Sequence, residues 1–551
     1  MKETISIPSD VLVIGGGETG IRAAIEAKRT GAGTVLLVTK GKFGSAGVMF
    51  SEITYGWDMQ AATGENDPTD NKREHLADIL NAAQGTCSEK LAGILTEEAP
   101  DRLHDLETLF DMEVYKKPDG TPRQVYGCFS TKDRGYQFTH PDQIKKKVAG
   151  GIEKYGVMLR DGIMITELVI RDGRCLGARG ISSDGQPFVF PARATVLACG
   201  GATGMFKHNF ASPGMCGDGY ALALRAGCTL ANMEFMQFGL GLLEPKYRAL
   251  FLDRLMYLQP KVKFTYDHHF PCSIQDMLTV HSKHFPFSTI DESYLFDVAV
   301  FEETLRNGGK GVAVDLSVIP LEKLQEIPVW DLYYSYFDAD KNPYDNELWI
   351  TTFAHACNGG VAISENAETG VDGLFAAGEM ITGPHGANRL GGNMHAACQV
   401  FGTRAGKNAA AYAGRVQAPD VSPEFDLPGD RCGLISRDYV EAKRLIADTL
   451  WEKANVARSE EGLSQALETI RAQQAILDAG VPRDEHLWHY YELKSTILAS
   501  EAIVSSARER TESRGGHFRS DYPETESKAY LVKCRLRDGE VRAFRTDTFE
   551  S

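Results

Sequence analysis

A strand, a glycine-rich turn, a helix and a second strand follow one another at the start of the chain, and this unit limits the folds open to it. The run Asp10–Ile14 is apolar, the turn 15–20 completes GxGxxG, and Thr34–Val38 is a second apolar run. Glycines in such a turn permit close approach of a pyrophosphate, which the helix N-terminus then faces. A lone GxGxxG is weak evidence, but its place inside this unit makes it specific. The pattern predicts an α/β fold with a Rossmann-like dinucleotide-binding domain, whose turn uses Gly15, Gly17 and Gly20.

The end of the second strand leaves the kind of dinucleotide open. An acidic residue often stands there to bind a ribose, but this chain has Thr39 and Lys40. The fingerprint alone therefore does not separate FAD from NAD. Two further strand-like runs end in glycine, at 195–201 and 373–379. Three such junctions spread along the chain suit an extended flavin dinucleotide better than a nicotinamide half-site.

Composition excludes several classes of protein. Asp and Glu outnumber Lys and Arg by 16, which argues against a nucleic-acid partner because phosphate contacts need a basic surface. No apolar run reaches the roughly 20 residues of a membrane helix, and no signal peptide is visible at the N-terminus. We therefore expect a cytoplasmic protein without a membrane span and with a small-molecule substrate.

The eleven cysteines do not form a recognisable site. No two are spaced as CxxC, and their number is odd, so neither a disulfide framework nor a zinc or iron–sulfur motif is indicated. We expect no metal in this chain, and any iron–sulfur centre would lie on a separate, ferredoxin-like electron-transfer protein.

Shifts in composition divide the chain. Residues 163–198 have the alternation and the Asp-Gly turns of a β-meander, whereas 240–345 contain few glycines and many aromatics, as expected of an inserted unit. From 433 to 512 apolar residues recur three and four apart, which predicts long helices over Tyr439–Ala454 and Leu463–Leu477. A short hairpin turned at Asp538-Gly539 closes the chain.

Several motifs then occur in a specific order. They are GDGY at 217–220, NMEFMQF at 232–238, HACNGG at 355–360, GE at 378–379 leading into HGANRLGGN at 385–393, and ESRGGH at 512–517. Together with the N-terminal fingerprint, they resemble the flavoprotein family of succinate dehydrogenases, fumarate reductases and L-aspartate oxidase. The resemblance covers almost the whole chain.

This resemblance implies a fold and a site. The fold is a Rossmann-like FAD-binding domain in two parts, with an inserted α+β capping domain and a C-terminal helical domain that ends in the hairpin. The corresponding ranges are 1–238, 346–425, 239–345 and 426–551. Arg389 matches the family's carboxylate-binding arginine and His355 its substrate-binding histidine. Besides the three glycines of the turn, the residues expected at FAD are Thr39, Lys40, Ser45, Gly47, Ala198, Gly200, Asp218, Glu379, Asn388 and Asn393.

The attachment of FAD is a separate prediction. Several relatives of this family bind FAD covalently through a histidine just after the second strand, and this chain has Ala46 where that histidine falls. We therefore predict non-covalent FAD.

The chain also departs from the family pattern. The family's His-Pro-Thr-Gly motif is replaced by Gly239, Leu240, Gly241 and Leu242, and its Arg-Gly-Glu-Gly stretch and cap arginine have no clear counterpart. Half of a dicarboxylate clamp is thus lost, and a missing partner for a buried charged oxygen is enough to change the substrate. Gly239 with Leu240, Leu242 and Leu243 predicts a smaller, more apolar wall that admits a bulkier or less charged substrate. Candidates for a replacement acid or base are Tyr266, His268, His269, Phe270, His281, Lys283 and His284, for which packing in the cap is the alternative.

Three functional hypotheses remain at this point. The leading one is an FAD oxidoreductase of the fumarate reductase type, which reduces or forms a carbon–carbon double bond next to a carboxylate or acyl group of a substrate other than fumarate. An alternative resembles the flavoprotein subunit of adenylylsulfate reductase, which works with an iron–sulfur subunit. A third is a flavin-binding electron-transfer or regulatory subunit without its own substrate.

Overall fold

The protein is described by a computed structural model. The described residues are 2–45, 47–50, 58–138, 141–212, 214–327, 330–424 and 431–549.

The dinucleotide fingerprint forms the predicted strand–turn–helix–strand unit. Its elements are β1 (Ile5–Ser6), β2 (Ser9–Ile14), α1 (Glu18–Arg29) and β3 (Val35–Val38). Gly15 has a φ of +117°, and a Cβ there would lie 2.1 Å from the Ala198 oxygen. Only glycine therefore allows β2 to end and α1 to begin within so few residues.

The remaining elements before residue 200 form the rest of the first part. They are β4 (Asp58–Gln60), α2 (Lys72–Ala83), α3 (Glu89–Phe110), β5 (Gln124–Tyr126), β6 (Asp133–Gln137), α4 (Pro141–Lys154), β7 (Met158–Arg160), β8 (Ile163–Arg171), β9 (Arg174–Ser182) and β10 (Pro187–Leu197).

The middle of the chain mixes short helices and strands. They are α5 (Asp218–Arg225), β11 (Leu230–Ala231), β12 (Met236–Glu244), α6 (Asp253–Tyr257), β13 (Lys261–Lys263), α7 (Ile274–His281), α8 (Tyr294–Arg306), β14 (Val312–Asp315), α9 (Leu321–Gln325), α10 (Trp330–Ser335) and β15 (Leu348–Cys357).

Helices dominate the last part. The elements are β16 (Gly360–Val361), β17 (Leu374–Ala376), α11 (Asn393–Ala413), α12 (Ser436–Lys453), α13 (Glu460–Ala472), α14 (Gln474–Asp478), α15 (Leu487–Glu509), β18 (Leu531–Arg537) and β19 (Glu540–Thr546). The long C-terminal helices and the closing hairpin are confirmed. The single helix predicted over 463–477 is wrong in one respect, because a break at Gln473 divides it into α13 and α14.

The largest sheet of the described residues places the glycine turns at one edge. Its strand order is β7-β3-β2-β10-β9-β8, and β17 and β1 also pair with β10. The strands β7, β3, β2, β10 and β17 run parallel, whereas β8, β9 and β10 form the predicted antiparallel meander. The carboxyl ends of β2, β10 and β17 therefore meet. Gly15 follows β2 directly, and Gly200 and Gly378 follow β10 and β17 within three residues. Ligands of open α/β sheets bind at such an edge.

A second sheet lies over this edge and has its own core. Its order is β12-β15-β14-β13, and its strands are antiparallel. Buried apolar side chains of residues 240–350, such as Phe251, Leu255, Val300 and Val314, form a hydrophobic cluster apart from the main one. We call residues 239–345 the cap. Its separate cluster is the arrangement expected of an inserted unit that closes over a site.

Two of the family-like motifs are joined in the interior by Arg510. Its Nε donates to Glu234 of the MEF motif at 2.8 Å, and its Nη1 donates to Glu512 of the ESRG motif at 2.6 Å. All three side chains are fully buried. The guanidinium also lies 4.6 Å from the ring of Phe235. This network fixes the C-terminal part of the chain against the strand that enters the cap.

Candidate active site

A cavity of 690 Å³ lies between the edge of the large sheet and the cap. It runs along the glycine turn of β2, past the ends of β3 and β10, to the first residues of α11 and to the cap. Among the residues predicted from the sequence, those that line it are Gly15, Gly17, Thr39, Lys40, Gly47, Ala198, Gly200, Asp218, His355, Glu379 and Arg389. An elongated cavity with glycine at its floor fits a dinucleotide.

The glycines at the floor of the cavity leave room that no larger residue would leave. A Cβ on Gly16 would lie 2.7 Å from Thr39, and a Cβ on Gly47 would lie 2.9 Å from Gly17. The backbones at Gly17 and Gly47 are therefore as close to each other as glycine allows, and Gly16 leaves just enough room for the Thr39 side chain. The N-terminus of α1 points at the same place, and its free N–H groups suit a pyrophosphate. The described residues thus fit an FAD pyrophosphate at this turn.

Four of the predicted cofactor residues do not line the cavity. Gly20 lies inside α1, where a Cβ would meet the Gly15 oxygen at 1.8 Å, so it serves the packing of the turn. Asn388 donates to the Ala82 oxygen at 3.0 Å, and Asn393 pairs with His75 at 2.9 Å. Ser45 is exposed and donates to the Lys42 oxygen at 2.6 Å. The two asparagines hold the loop that carries Arg389 against α2.

Ala46, on which the prediction of non-covalent attachment rests, lies outside the described residues. His75, the first histidine of the chain, is buried away from the cavity lining, and burial lowers its pKa to about 4.

Arg389 is buried at the cap side of the cavity. Its Nε donates to Gln237 Oε1 at 3.0 Å, its Nη1 donates to the Leu390 oxygen at 2.9 Å, and its Nη2 lies 3.4 Å from His355 Nε2. Among the described residues no carboxylate forms an ion pair with it. Burial lowers the pKa of the guanidinium, opposed by more distant acidic groups. A buried cation without a paired carboxylate is a site for an anion, because the anion offsets the cost of burying the charge.

His355 reaches the same place from strand β15. Burial and the neighbouring Arg389 lower its pKa to about 3, so the imidazole is neutral at physiological pH. Its Nδ1 is buried and has no hydrogen-bond partner among the described residues. A neutral imidazole beside a guanidinium offers one further hydrogen bond to a bound anion.

Burial shifts two carboxyl groups near Arg389 toward their acidic form. Burial raises the pKa of Asp58 and of Glu379, against the opposing effects of Arg389 and His395. Glu379 Oε1 accepts a hydrogen bond from the Cys357 nitrogen at 3.0 Å. The raised pKa values weaken the ability of these groups to neutralise Arg389.

The cap wall differs from the sequence expectation. The predicted smaller wall at Gly239 is wrong, because a Cβ there would lie 2.9 Å from the Phe285 ring, which already fills this space. Leu240 and Leu242 point into the core of the cap, and they do not line the cavity. Phe285 and Phe210 do line it, so the wall is apolar as predicted but aromatic rather than small.

None of the seven proposed cap acids and bases lines the cavity. His281 is buried against Asp297 at 2.5 Å, His284 hydrogen-bonds Ser293 at 3.1 Å, and His268 lies 3.3 Å from Glu303. Tyr266, His269 and Lys283 are exposed, and Phe270 packs against the core of the cap. The packing alternative therefore accounts for these residues.

Two ionisable cap residues that do line the cavity were missed by the sequence predictions. They are Asp253 and Arg254, the first two residues of α6. Burial raises the pKa of the Asp253 carboxyl, although Arg254 opposes that shift. The only sequence signal was a charged pair directly after the apolar run Ala249–Leu252.

Two further residues of the cavity come from the C-terminal helices and were also missed. Glu492 and Trp488 of α15 line the end at which Lys40 and Asp218 lie. They are more than 250 residues from either partner in the sequence, so no local pattern could connect them.

Two further properties belong to the described residues. No cluster of three or more histidine, cysteine, aspartate or glutamate side chains in them could hold a metal ion. None of their helices is both long enough and apolar enough to cross a bilayer.

Two family models match the chain. The FAD binding domain matches residues 10–394, and the fumarate reductase flavoprotein C-terminal region matches residues 443–544.

Known proteins similar to the chain agree with these matches. A fumarate reductase (CoM/CoB) subunit of Methanothermobacter marburgensis is 31% identical over 94% of this chain and 95% of that protein. The solved structure of Mycobacterium smegmatis Sdh1 in complex with UQ1 has a TM-score of 0.83 and 26% identity over 98% of this chain and 94% of that one. Adenylylsulfate reductase of Archaeoglobus fulgidus has a TM-score of 0.71 at 18% identity, over 98% of this chain and 96% of that one, which shows a common fold alone.

Proposed function

Because the chain belongs to the FAD-binding family of succinate dehydrogenase and fumarate reductase flavoproteins, we propose a specific form of that chemistry for it. The protein is an FAD-dependent oxidoreductase. Its proposed reaction is the reduction, or the formation, of a carbon–carbon double bond next to a carboxylate. The proposed substrate is an unsaturated acid with an apolar group in place of the second carboxylate of fumarate.

The buried, unpaired Arg389 is the observation that carries the proposal. Its Nε and Nη1 are held by Gln237 and Leu390, and Nη2 is left with the neutral His355 at 3.4 Å. A carboxylate bound here accepts charge-assisted hydrogen bonds from the guanidinium and one from His355. Both residues then fix the acid group and orient the adjacent carbon–carbon bond.

The aromatic wall supports the choice of substrate class. The ring of Phe285 fills the space beside Gly239 into which a side chain at that position would extend. Phe210 lies beside it, and both rings line the cavity. A second carboxylate against these rings would lose its hydration without gaining a partner, which costs several kcal/mol, about as much as other buried unpaired charges. An alkyl or aryl group gains free energy from the same contact.

Asp253 is the proposed proton-transfer residue. Its half-buried carboxyl group lines the cavity, and desolvation raises its pKa, which shifts it toward the acidic form. Arg254, the next residue in the chain, both lines the cavity and is exposed, so it marks the place where water reaches the site. In the reducing direction, Asp253 donates a proton to one carbon of the double bond and is recharged from water past Arg254.

FAD is held without a covalent bond in this proposal. Gly15, Gly17 and Gly47 would hold its pyrophosphate, and Ala198, Gly200 and Glu379 would line its path toward Arg389. Bound FAD would supply the two-electron chemistry that the reaction needs. The protein supplies the anion site, the apolar wall and the proton.

The experiment that tests this function separates catalysis from mere flavin binding. The holoenzyme is reduced anaerobically, and reoxidation of its flavin is followed after addition of 2-enoic acids with apolar substituents. We expect rapid reoxidation in the wild type, and at least a hundredfold loss in the Arg389→Ala/His355→Ala variant with FAD content unchanged. No reoxidation by any acid in either protein would instead support an electron-transfer subunit without its own substrate, and equally rapid reoxidation in both would remove Arg389 and His355 from the site.

A second proposal concerns the electron partner. The relative from Methanothermobacter marburgensis is named as one subunit of an enzyme, and it matches this chain over nearly its whole length. In the described residues the cysteines are unpaired and form no metal cluster, so an iron–sulfur centre would lie on another protein. Purification from the native cells would test this. Iron and acid-labile sulfide that copurify in a fixed ratio to FAD support the proposal. A protein that purifies from these cells without iron, and without any iron-containing partner, contradicts it.

A further inference from the structure

Three distant parts of the chain form the end of the cavity that lies at the carboxyl end of strand β3. Lys40 follows β3, Asp218 begins α5, and Glu492 lies in α15. Lys40 Nζ contacts Asp218 Oδ2 at 2.9 Å and Glu492 Oε1 at 2.7 Å. Trp488, four residues before Glu492 on α15, lines the same cavity, and Lys40 Nζ lies 5.9 Å from its ring. Because residues four apart share one face of a helix, the indole and the carboxylate face the cavity together.

This cluster replaces a feature that the second strand lacks. In a dinucleotide-binding unit an acidic residue at the end of the second strand accepts hydrogen bonds from the adenosine ribose. Here Thr39 occupies that end, and its side chain packs against Gly16 of the turn. Asp218 and Glu492 bring two carboxylates to the same end of β3, where Lys40 orients both. Burial raises the pKa of Glu492, but a hydrogen bond from His489 and the charges of Lys40 and Lys443 outweigh it and lower the pKa well below the usual range, so the carboxylate is ionised.

The charges of the cluster select among ligand groups. Within this cluster the ammonium groups of Lys40 and Lys443 are both paired with carboxylates, so neither is free to bind a phosphate, and the carboxylate oxygens that face the cavity favour hydroxyl donors. Each carboxylate keeps acceptor capacity, because one carboxylate has about four lone-pair positions. Apolar side chains of β8 and α5, Ile163, Ile165 and Leu222, also line the cavity. An indole, apolar side chains and ionised acceptors together match an adenine base attached to an unphosphorylated ribose.

We propose that Trp488 and Glu492 of the C-terminal helical region bind the adenosine half of FAD, with the indole against the base and the carboxylate toward the ribose. The cofactor then joins the nucleotide-binding part of the chain to α15. Binding of FAD and docking of this helix are consequently coupled. This inference does not depend on the substrate or on the reaction proposed above.

Fragments of the cofactor test the proposal directly. Full-length protein is freed of FAD, and its affinity for FAD, ADP and FMN is measured by calorimetry. We expect Trp488→Leu and Glu492→Gln each to weaken FAD and ADP by about tenfold, as the loss of a stacked base or of a charged hydrogen-bond acceptor predicts. The affinity for FMN should change less than twofold, because FMN lacks the adenosine. Trp488→Phe should recover most of the affinity for ADP.

Matched controls separate a binding role from a structural one. Lys443→Gln removes the outer ion pair of Glu492 without touching the cavity lining, and should leave the ADP affinity within twofold of the wild type. Amide exchange in residues 487–509 should slow when ADP is added to the FAD-free wild type. ADP affinity within twofold of the wild type in both the Trp488→Leu and Glu492→Gln variants would overturn the proposal. So would an equal loss of FMN affinity, or amide exchange that ADP leaves unchanged.

Discussion

Replacement of Arg389 by Gln tests how much of the anion site depends on one guanidinium. The wild-type side chain is only 6% exposed, and it is held in place by Gln237 at 3.0 Å and by the Leu390 oxygen at 2.9 Å. A carboxylate that it binds gains about two charge-assisted hydrogen bonds of roughly 1.5–3 kcal/mol each. Loss of both costs about 3–6 kcal/mol, which is roughly a hundredfold to ten-thousandfold in affinity.

The assay is a titration of the oxidised holoenzyme with an unreactive carboxylic acid, followed by the change in flavin absorbance. Arg389→Lys keeps the charge but loses the planar fork, so we expect an intermediate loss of about tenfold to a hundredfold. Arg404→Gln is the matched control, because Arg404 pairs with Glu98 outside the cavity lining and both side chains are partly exposed. The control should bind the acid within twofold of the wild type. The reasoning would be refuted if Arg389→Gln retained FAD and bound the acid within threefold of the wild type.

Three further predictions follow from other contacts. Since burial holds the pKa of His355 at about 3, His355→Asn should leave the pH dependence of anion binding between pH 5 and 8 unchanged. In both proteins the affinity for the anion should fall as pH rises, because Asp58 and Glu379, whose pKa values are raised, then ionise near Arg389. An inflection near pH 6.5 that is seen only with His355 present would contradict the neutral state of this imidazole. Arg510→Leu leaves Glu234 buried without its ion-pair partner, whereas Glu512 keeps Arg514, so the free energy of unfolding should fall by about 3–5 kcal/mol. The exposed Arg542→Leu should change it by less than about 1 kcal/mol. Equal thermal stability of the Arg510→Leu and Arg542→Leu variants would argue against the network. Phe285→Ala should raise the KM for an apolar enoic acid about tenfold, through lost apolar contact, while Tyr257→Ala, an exposed cap aromatic, should not change it; no effect on KM would remove Phe285 from the substrate wall.

Local patterns in the sequence were sufficient for the nucleotide-binding part of the fold. The glycine turn at 15–20 and the meander of β8, β9 and β10 depend on residues near one another in the chain, and both form as predicted. Arg389 and His355 were found through motif order, and the structure brings them to 3.4 Å from each other.

Local sequence patterns could not predict contacts between segments that are distant in the chain. A glycine at 239 indicates free space only if nothing else fills it, and Phe285 enters that space from elsewhere in the cap. The histidines of the cap were suited to proton transfer by residue type, but His281 and His284 find partners inside the cap. Asp253 reaches the cavity because α6 begins at its edge, which depends on how the cap lies over the large sheet.

The central claim is that this site acts on an unsaturated acid with an apolar group rather than on fumarate. The most direct measurement is the rate at which the anaerobically reduced flavin of the wild-type holoenzyme is reoxidised by fumarate and by 2-enoic acids with alkyl or aryl substituents, at equal concentration. The account predicts reoxidation by at least one substituted monoacid that is ten times faster or more than by fumarate. Faster reoxidation by fumarate than by every monoacid would contradict it.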